Sequence, residues 1–336
     1  PFTDLKLSKS ISQIKGRRIF ADVKSSVSQG SSKDLKIIDI SVEEKATGEI
    51  SAGAGIGTSG GSFMVMVTEN NWLGEGKNVS FDVDVSEESL RGTLNYTDPN
   101  YDFLGNSLNY SLSSVKNDKP DQGYENTIVG AGIGTTFEQY KDIFAKLGLN
   151  LSFDDLKTQD TASDSLKKQA GDFTEVSGYY GFTYDKRNRA FMPTDGSIIG
   201  FDQSFPIYAD KAFLGNTLFA SVYETLGENV VGASKFYFTS VHGIGDDDVR
   251  VSKRRNLSSK KLRGFKRGKI GPKDGIDHVG GNYALAVNFE ASLPNLLPEA
   301  TKTDVGLFMD FGNVWGVDYD DSIDDSSKLR SSTGVA

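Results

Sequence analysis

The chain has 336 residues and a formal net charge of -9, with no cysteine and two histidines, His242 and His278. These values exclude a disulfide framework, thiolate metal centres and a histidine-rich metal site, and the acidic balance argues against nucleic acid as a partner. Apolar residues make up 37% and glycine accounts for 37 positions. No stretch approaches the roughly 18–20 apolar residues that a membrane helix needs, but a transmembrane barrel is written in short alternating strands with a weaker trace.

Leu7, Ile11 and Ile14 recur at helical spacing within residues 3–19 and predict a short amphipathic helix. Two alternating runs follow, 21–28 and 34–44, the second carrying Leu35, Ile37 and Ile38. One helix and two strands make half of a small α+β domain. The chain opens mid-element at Pro1, which implies a native start further upstream.

From about residue 46 the period changes to two. Phe81, Val83 and Val85 alternate with Asp82 and Asp84; Leu285, Val287 and Phe289 alternate with Ala286, Asn288 and Glu290. The pattern predicts strands near 47–57, 62–71, 77–86, 90–98, 105–115, 124–135, 142–154, 173–184, 196–207, 213–225, 233–243, 281–292 and 303–314, with another beginning near 329. Breaks at 72–76, 99–104, 136–141, 226–232 and 293–302 are short, and those at 116–123, 155–172, 244–280 and 315–328 are longer and polar. Short turns on one side and long loops on the other mark an outer-membrane barrel over a soluble sandwich, and no repeat of propeller-blade length is visible.

The first strand of this series holds Gly48, Gly53, Gly55 and Gly57, followed by Gly60 and Gly61. Glycine weakens a strand interior. Two readings stand: a wall that needs close backbone approach, or a seam strand held loosely.

No hydrolase or transferase constellation emerges, and Gly53-Ala54-Gly55-Ile56-Gly57 lacks the helix that a dinucleotide loop requires. Neither a metal nor a cofactor is expected. Asp318, Asp320, Asp321, Asp324 and Asp325 form an acidic run without the glycine and terminal glutamate of an EF-hand, so a solvated loop is the better reading.

The segment 244–280 is basic in an acidic chain, from Arg250, Lys253, Arg254 and Arg255 through Arg263 to Lys273. A solvated loop, or one meeting lipid phosphates, is the plain reading. Strand parity offers a more specific one. If Val287 and Phe289 face lipid, Glu290 faces the lumen, and Asp310 does so on the next strand. Two lumenal carboxylates on adjacent strands make a seat for an arginine from the loop.

Leu262-Arg263-Gly264-Phe265 resembles the Val-Arg-Gly-Phe loop motif of the outer-membrane assembly-factor superfamily, with leucine in place of valine. Phe308-Met309-Asp310-Phe311-Gly312 resembles its Phe-x-Asp-x-Gly strand motif. Pro193-Thr194-Asp195-Gly196, Asn70-Asn71-Trp72-Leu73-Gly74 and Gly280-Gly281-Asn282 are similar to further marks of the family.

The resemblance implies an all-β fold: a transmembrane antiparallel β-barrel of the 16-stranded type over 46–336, ending inside strand 14. Residues 1–45 are then the C-terminal half of a POTRA domain. It implies a loop latch of Arg263, Gly264, Phe265, Glu290 and Asp310, and a seam strand with Gly53, Gly55 and Gly57. The implied function is insertion of unfolded outer-membrane clients arriving from the periplasm, without a cofactor. Lipid, the clients and periplasmic accessory lipoproteins are the implied partners. The implied location is the outer membrane of a Gram-negative bacterium, with residues 155–172, 244–280 and 315–328 outside and 72–76, 185–195 and the helix in the periplasm. A polypeptide translocator of two-partner secretion, in the same superfamily, is the alternative; a passive porin or adhesin has no need of the latch, and an enzyme is the weakest reading.

Overall fold

The computed structural model describes residues 3–16, 19–32, 35–57, 60–102, 104–227, 230–293, 305–319, 323–324 and 328–335. Helix α1 (Asp4–Gly16) precedes an antiparallel pair, β1 (Phe20–Gln29) and β2 (Lys36–Glu44). Asp4 in the first turn and Lys15 in the last suit the helix dipole. The helix packs on β1, where Val23 is buried along with the preceding Ile19, but Ile37, Ile38, Ile40 and Val42 of β2 are exposed.

The remaining long strands are β3 (Gly48–Gly57), β4 (Gly60–Trp72), β5 (Lys77–Ser86), β6 (Ser89–Asp98), β7 (Ser107–Lys119), β8 (Tyr124–Tyr140) and β9 (Ile143–Thr158). After a short helix, α2 (Asp164–Lys167), come β10 (Gly171–Asp185), β11 (Gly196–Ala209), β12 (Phe213–Gly227) and β13 (Val230–Gly243). A tiny ladder of β14 (Lys273–Asp274) and β15 (Asp277–His278) lies in the following long segment, before β16 (Tyr283–Leu293), β17 (Val305–Trp315) and β18 (Arg330–Val335). Leaving out β14 and β15, β3 to β18 form one 14-stranded antiparallel sheet in chain order.

The sheet curls around the segment between β13 and β16, which touches walls far apart in the strand order. Val251 and Val279 pack with Tyr124 and Leu156 of β8 and β9, while Leu257 and Leu262 pack with Ala284, Ala286 and Val314 of β16 and β17.

Alternation sorts the two faces. Leu147, Leu149, Leu151 and Phe153 of β9 are exposed, as are Val129 and Ile133 opposite them on β8. Phe289, Leu307 and Met309 continue this outer belt on β16 and β17. At the end of the belt Tyr283 stacks on Trp315 with ring centroids 5.6 Å apart. An apolar band bounded by aromatics is how a barrel meets a bilayer.

The strands outrun their apolar pattern. β8 continues through Glu138 to Tyr140, so the break expected at 136–141 is a tight turn with Asp142 at φ 65°. β7 likewise continues to Lys119. Ladder hydrogen bonds need no apolar side chain, so a barrel strand can project beyond the lipid band where the alternation has stopped.

The turns 73–76, 99–106, 141–142 and 186–195 share one end of the sheet. The N-terminal unit sits there: Ile14, Ile19 and Phe20 line a cleft of about 1020 Å³ with Asn70, Pro99 and Asn100. The opposite end carries 159–170 and 244–282, but also the two-residue turn 87–88. Turn chemistry is local. Arg187 pairs with Asp185 at 2.7 Å, Thr194 N donates to Asn188 Oδ1 at 3.2 Å, and Gly196 has φ 96°. A Cβ at Gly196 would lie 2.2 Å from the Lys186 carbonyl oxygen, so only glycine fits.

Candidate functional site

The basic segment after β13 is not a solvated loop. Val249, Val251, Leu257, Leu262, Ile270 and Val279 are at most 5% exposed. Apolar residues interleaved with the cations drive the segment into the lumen, where burying them is favourable. Space for it comes from small inward-facing residues. Ala284 and Ala286 are fully buried, and a Cβ at Gly312 would meet Leu257 at 2.8 Å and Leu262 at 3.3 Å. The last glycine of the 308–312 motif is therefore a seat for the segment.

At the tip of this fold the structure brings Arg263, Glu290 and Asp310 together. Arg263 Nη2 lies 2.6 Å from Asp310 Oδ1 and 2.9 Å from Glu290 Oε1. Its Nε donates to Asp310 Oδ2 at 2.8 Å, and its backbone N–H donates to the same oxygen at 2.9 Å. The fork and the main chain thus both bind one carboxylate. Asp310 has no exposed surface, so its charge must be compensated locally. The Arg263 guanidinium also lies over the Phe308 ring, 4.0 Å from its centroid. Gly264 follows with φ 81°, which turns the chain back, and Phe265 packs against the cluster of Leu257 and Leu262.

Parity alone misses part of this site. Asn288 faces Asp310 across the ladder and donates to it at 2.8 Å and to the Lys261 carbonyl at 2.8 Å. Glu290 faces Phe308, so the two carboxylates are diagonal neighbours. Lys235 of β13 also bonds Glu290, which is thereby shared between two cations. The inward parity of Asn288 was a usable signal. The pairing of Lys235 depends on strand order, with 244–282 intervening in sequence.

Further out, Lys266 reaches Asp121 at 2.7 Å and Lys269 reaches it at 3.1 Å, tying the segment to the turn between β7 and β8. Lys266, and then Lys269, hold the Asp121 carboxyl below the usual carboxylate range. Arg250 lies 3.7 Å from Asp154 of β9 and over the Phe173 ring at 3.8 Å.

Of the acidic run, Asp318 is paired with Arg254 and is not free in solvent. Asp324 bonds the Lys273 backbone in both directions. Asp320, Asp321 and Asp325 lie outside the described residues, among which no cluster suited to a metal occurs.

The sheet ends at β3 and β18, and neither outer edge has a partner among the described residues. β3 pairs with β4 without a bulge from Gly48 opposite Glu69 to Gly57 opposite Gly60. A Cβ at Gly53 would meet nothing within 4 Å, and one at Gly55 would meet Ser62 Oγ at 3.4 Å. Among the described residues, then, nothing approaches the backbone closely at Gly53 or Gly55.

The Omp85 superfamily domain matches residues 71–336. The chain belongs to the Omp85 superfamily. It is 27% identical over 316 residues to the outer membrane protein assembly factor BamA of Neorickettsia risticii, covering 89% of this chain and 41% of that protein. It is 25% identical to BamA of Neisseria meningitidis, covering 96% and 44%, and 27% identical to a SAM50-like protein of Schizosaccharomyces pombe over 46% of this chain and 34% of the relative. The chain thus spans less than half the length of these relatives. Among solved structures, BamA from Haemophilus ducreyi lacking POTRA domains 1–3 superposes with a TM-score of 0.78 at 22% identity, over 98% of this chain and 71% of that one. CdiB from Escherichia coli superposes at 0.59 and 16% identity, over 99% and 63%. This Omp85 chain is BamA-like, and its barrel belongs to the outer membrane of a Gram-negative bacterium.

Proposed function

We propose that this Omp85 chain is the membrane part of an insertase. It receives unfolded β-barrel clients from the periplasm and assists their folding into the outer membrane at the seam edge β3. The clients and periplasmic accessory lipoproteins are its partners, and residues 1–45 are the last part of a POTRA domain. The observation that carries this reading is the Arg263–Asp310 clamp inside a barrel whose first strand, β3, is rich in glycine. An exposed edge templates an incoming strand through backbone hydrogen bonds, and no reaction chemistry is required. The clamp keeps the lumenal segment in place while the seam works.

The test is reconstitution of the full-length protein in liposomes with a urea-unfolded barrel client. Folded client, read by its heat-modifiable gel mobility, should accumulate in the bilayer. With Arg263→Ala the rate should fall about tenfold, the order expected when a charge-assisted contact is lost. Client recovered as soluble chain inside the liposomes would support the two-partner translocator instead, a reading with which the CdiB-like fold is compatible.

A further inference from the structure

We infer that Arg254 is a second latch of the lumenal segment, which with Asp318 fixes the hairpin of β17 and β18 independently of Arg263. The Arg254 side chain has no exposed surface and is more deeply buried than that of Arg263. It donates to Asn282 Oδ1 at 2.9 Å, pairs with Asp318, and lies over the Tyr319 ring at 4.9 Å. The other oxygen of Asp318 accepts from Asn282 Nδ2 at 2.9 Å and from the Val249 N–H at 3.2 Å. One carboxylate therefore joins three points of the chain: Val249 and Arg254 in the first third of the segment, and Asn282 at its return to β16.

The connection from β17 to β18 is held further by the same segment. Asn282 N donates to the Gly316 carbonyl at 2.7 Å, and Tyr319 Oη donates to Asp274 Oδ2 at 2.9 Å. Lys273 and Asp324 exchange backbone hydrogen bonds at 3.0 and 3.1 Å. This connection leads into β18, where Ser332 stands opposite Asp310. The segment thus grips the hairpin of β17 and β18 twice, at Asp310 in mid-strand through Arg263 and beyond Trp315 through Arg254. A buried guanidinium that loses its carboxylate cannot recover full hydration, so the outer grip is the less forgiving of the two.

The positioning effect stands on these contacts alone; its consequence for client insertion rests on the insertase reading. Hydrogen exchange of the full-length protein in lipid nanodiscs separates them, using Arg254→Gln, Asp318→Asn, the double variant and Arg263→Ala. Heat-modifiable mobility first establishes that each barrel is folded. Asp318→Asn, which alters a partly exposed side chain, carries the test if Arg254→Gln does not fold. The single variants should speed exchange at 330–335 about tenfold or more with no change over 143–158, and the double variant should add little to either. Unchanged exchange at 330–335 in the folded variants would overturn the latch, whatever client insertion does. Faster exchange there with normal client insertion would support the latch and show that client insertion does not depend on it.

Discussion

Asp310 accepts four hydrogen bonds, from Arg263 Nε, Nη2 and backbone N and from Asn288 Nδ2, with no exposed surface of its own. Arg263→Lys can restore charge but not the fork, so it should recover only part of the activity lost in Arg263→Ala. Asp310→Asn should be as damaging as Arg263→Ala, at about 1–3 kcal/mol from the lost charge-assisted bonds, read by denaturant unfolding of the loop. Gly312→Ala should destabilise by a similar 1–3 kcal/mol, because its Cβ presses Leu257 and the Leu285 carbonyl, 3.0 Å away. Asp121 gives a pH signature. Its folded pKa is depressed by Lys266 and Lys269, so the stability it confers is present above the ordinary carboxylate value and is lost as pH falls through the depressed one. Proteolysis of the folded barrel at 266–269 should be unchanged at neutral pH and should quicken only in that acidic window. Quickening between pH 6 and 8 would contradict the pairing.

At the scale of elements, β3 is the informative strand. Its ladder to β4 is complete, so its pairing on that side is ordinary. Gly48, Gly53, Gly55 and Gly57 bring no side chain to pack, which lowers the cost of peeling the strand away. Gly53→Ala fits sterically and should add about 0.5–1 kcal/mol to the strand. It should slow exchange over 48–57 and slow client insertion together; slower exchange with unchanged insertion would separate β3 from function. The strands were legible in the sequence because alternation survives wherever lipid meets one face, as at Leu285, Val287 and Phe289. Their ends were not, because Glu138 and Lys119 are paired by backbone bonds outside the apolar band. The Arg263 site was legible from parity and motif. Arg254 was not, since its partner lies 64 residues away in a polar connection without periodicity.

At the scale of the molecule, the two ends of the barrel differ in what covers them. The end with 159–170 and 244–282 is capped by packed segments, and the other carries α1, β1 and β2. Single cysteines on intact cells should be labelled at Ser163 and not at Glu75; the reverse would invert the topology. The insertase account makes β3 the edge at which a client begins to pair. The most direct measurement is disulfide capture of a stalled client strand by single cysteines in the full-length protein, placed at Ser51 in β3 and at Leu149 in the middle of the wall. The account predicts adducts at Ser51 and none at Leu149. Adducts absent from Ser51, or equal at the two positions, would contradict it.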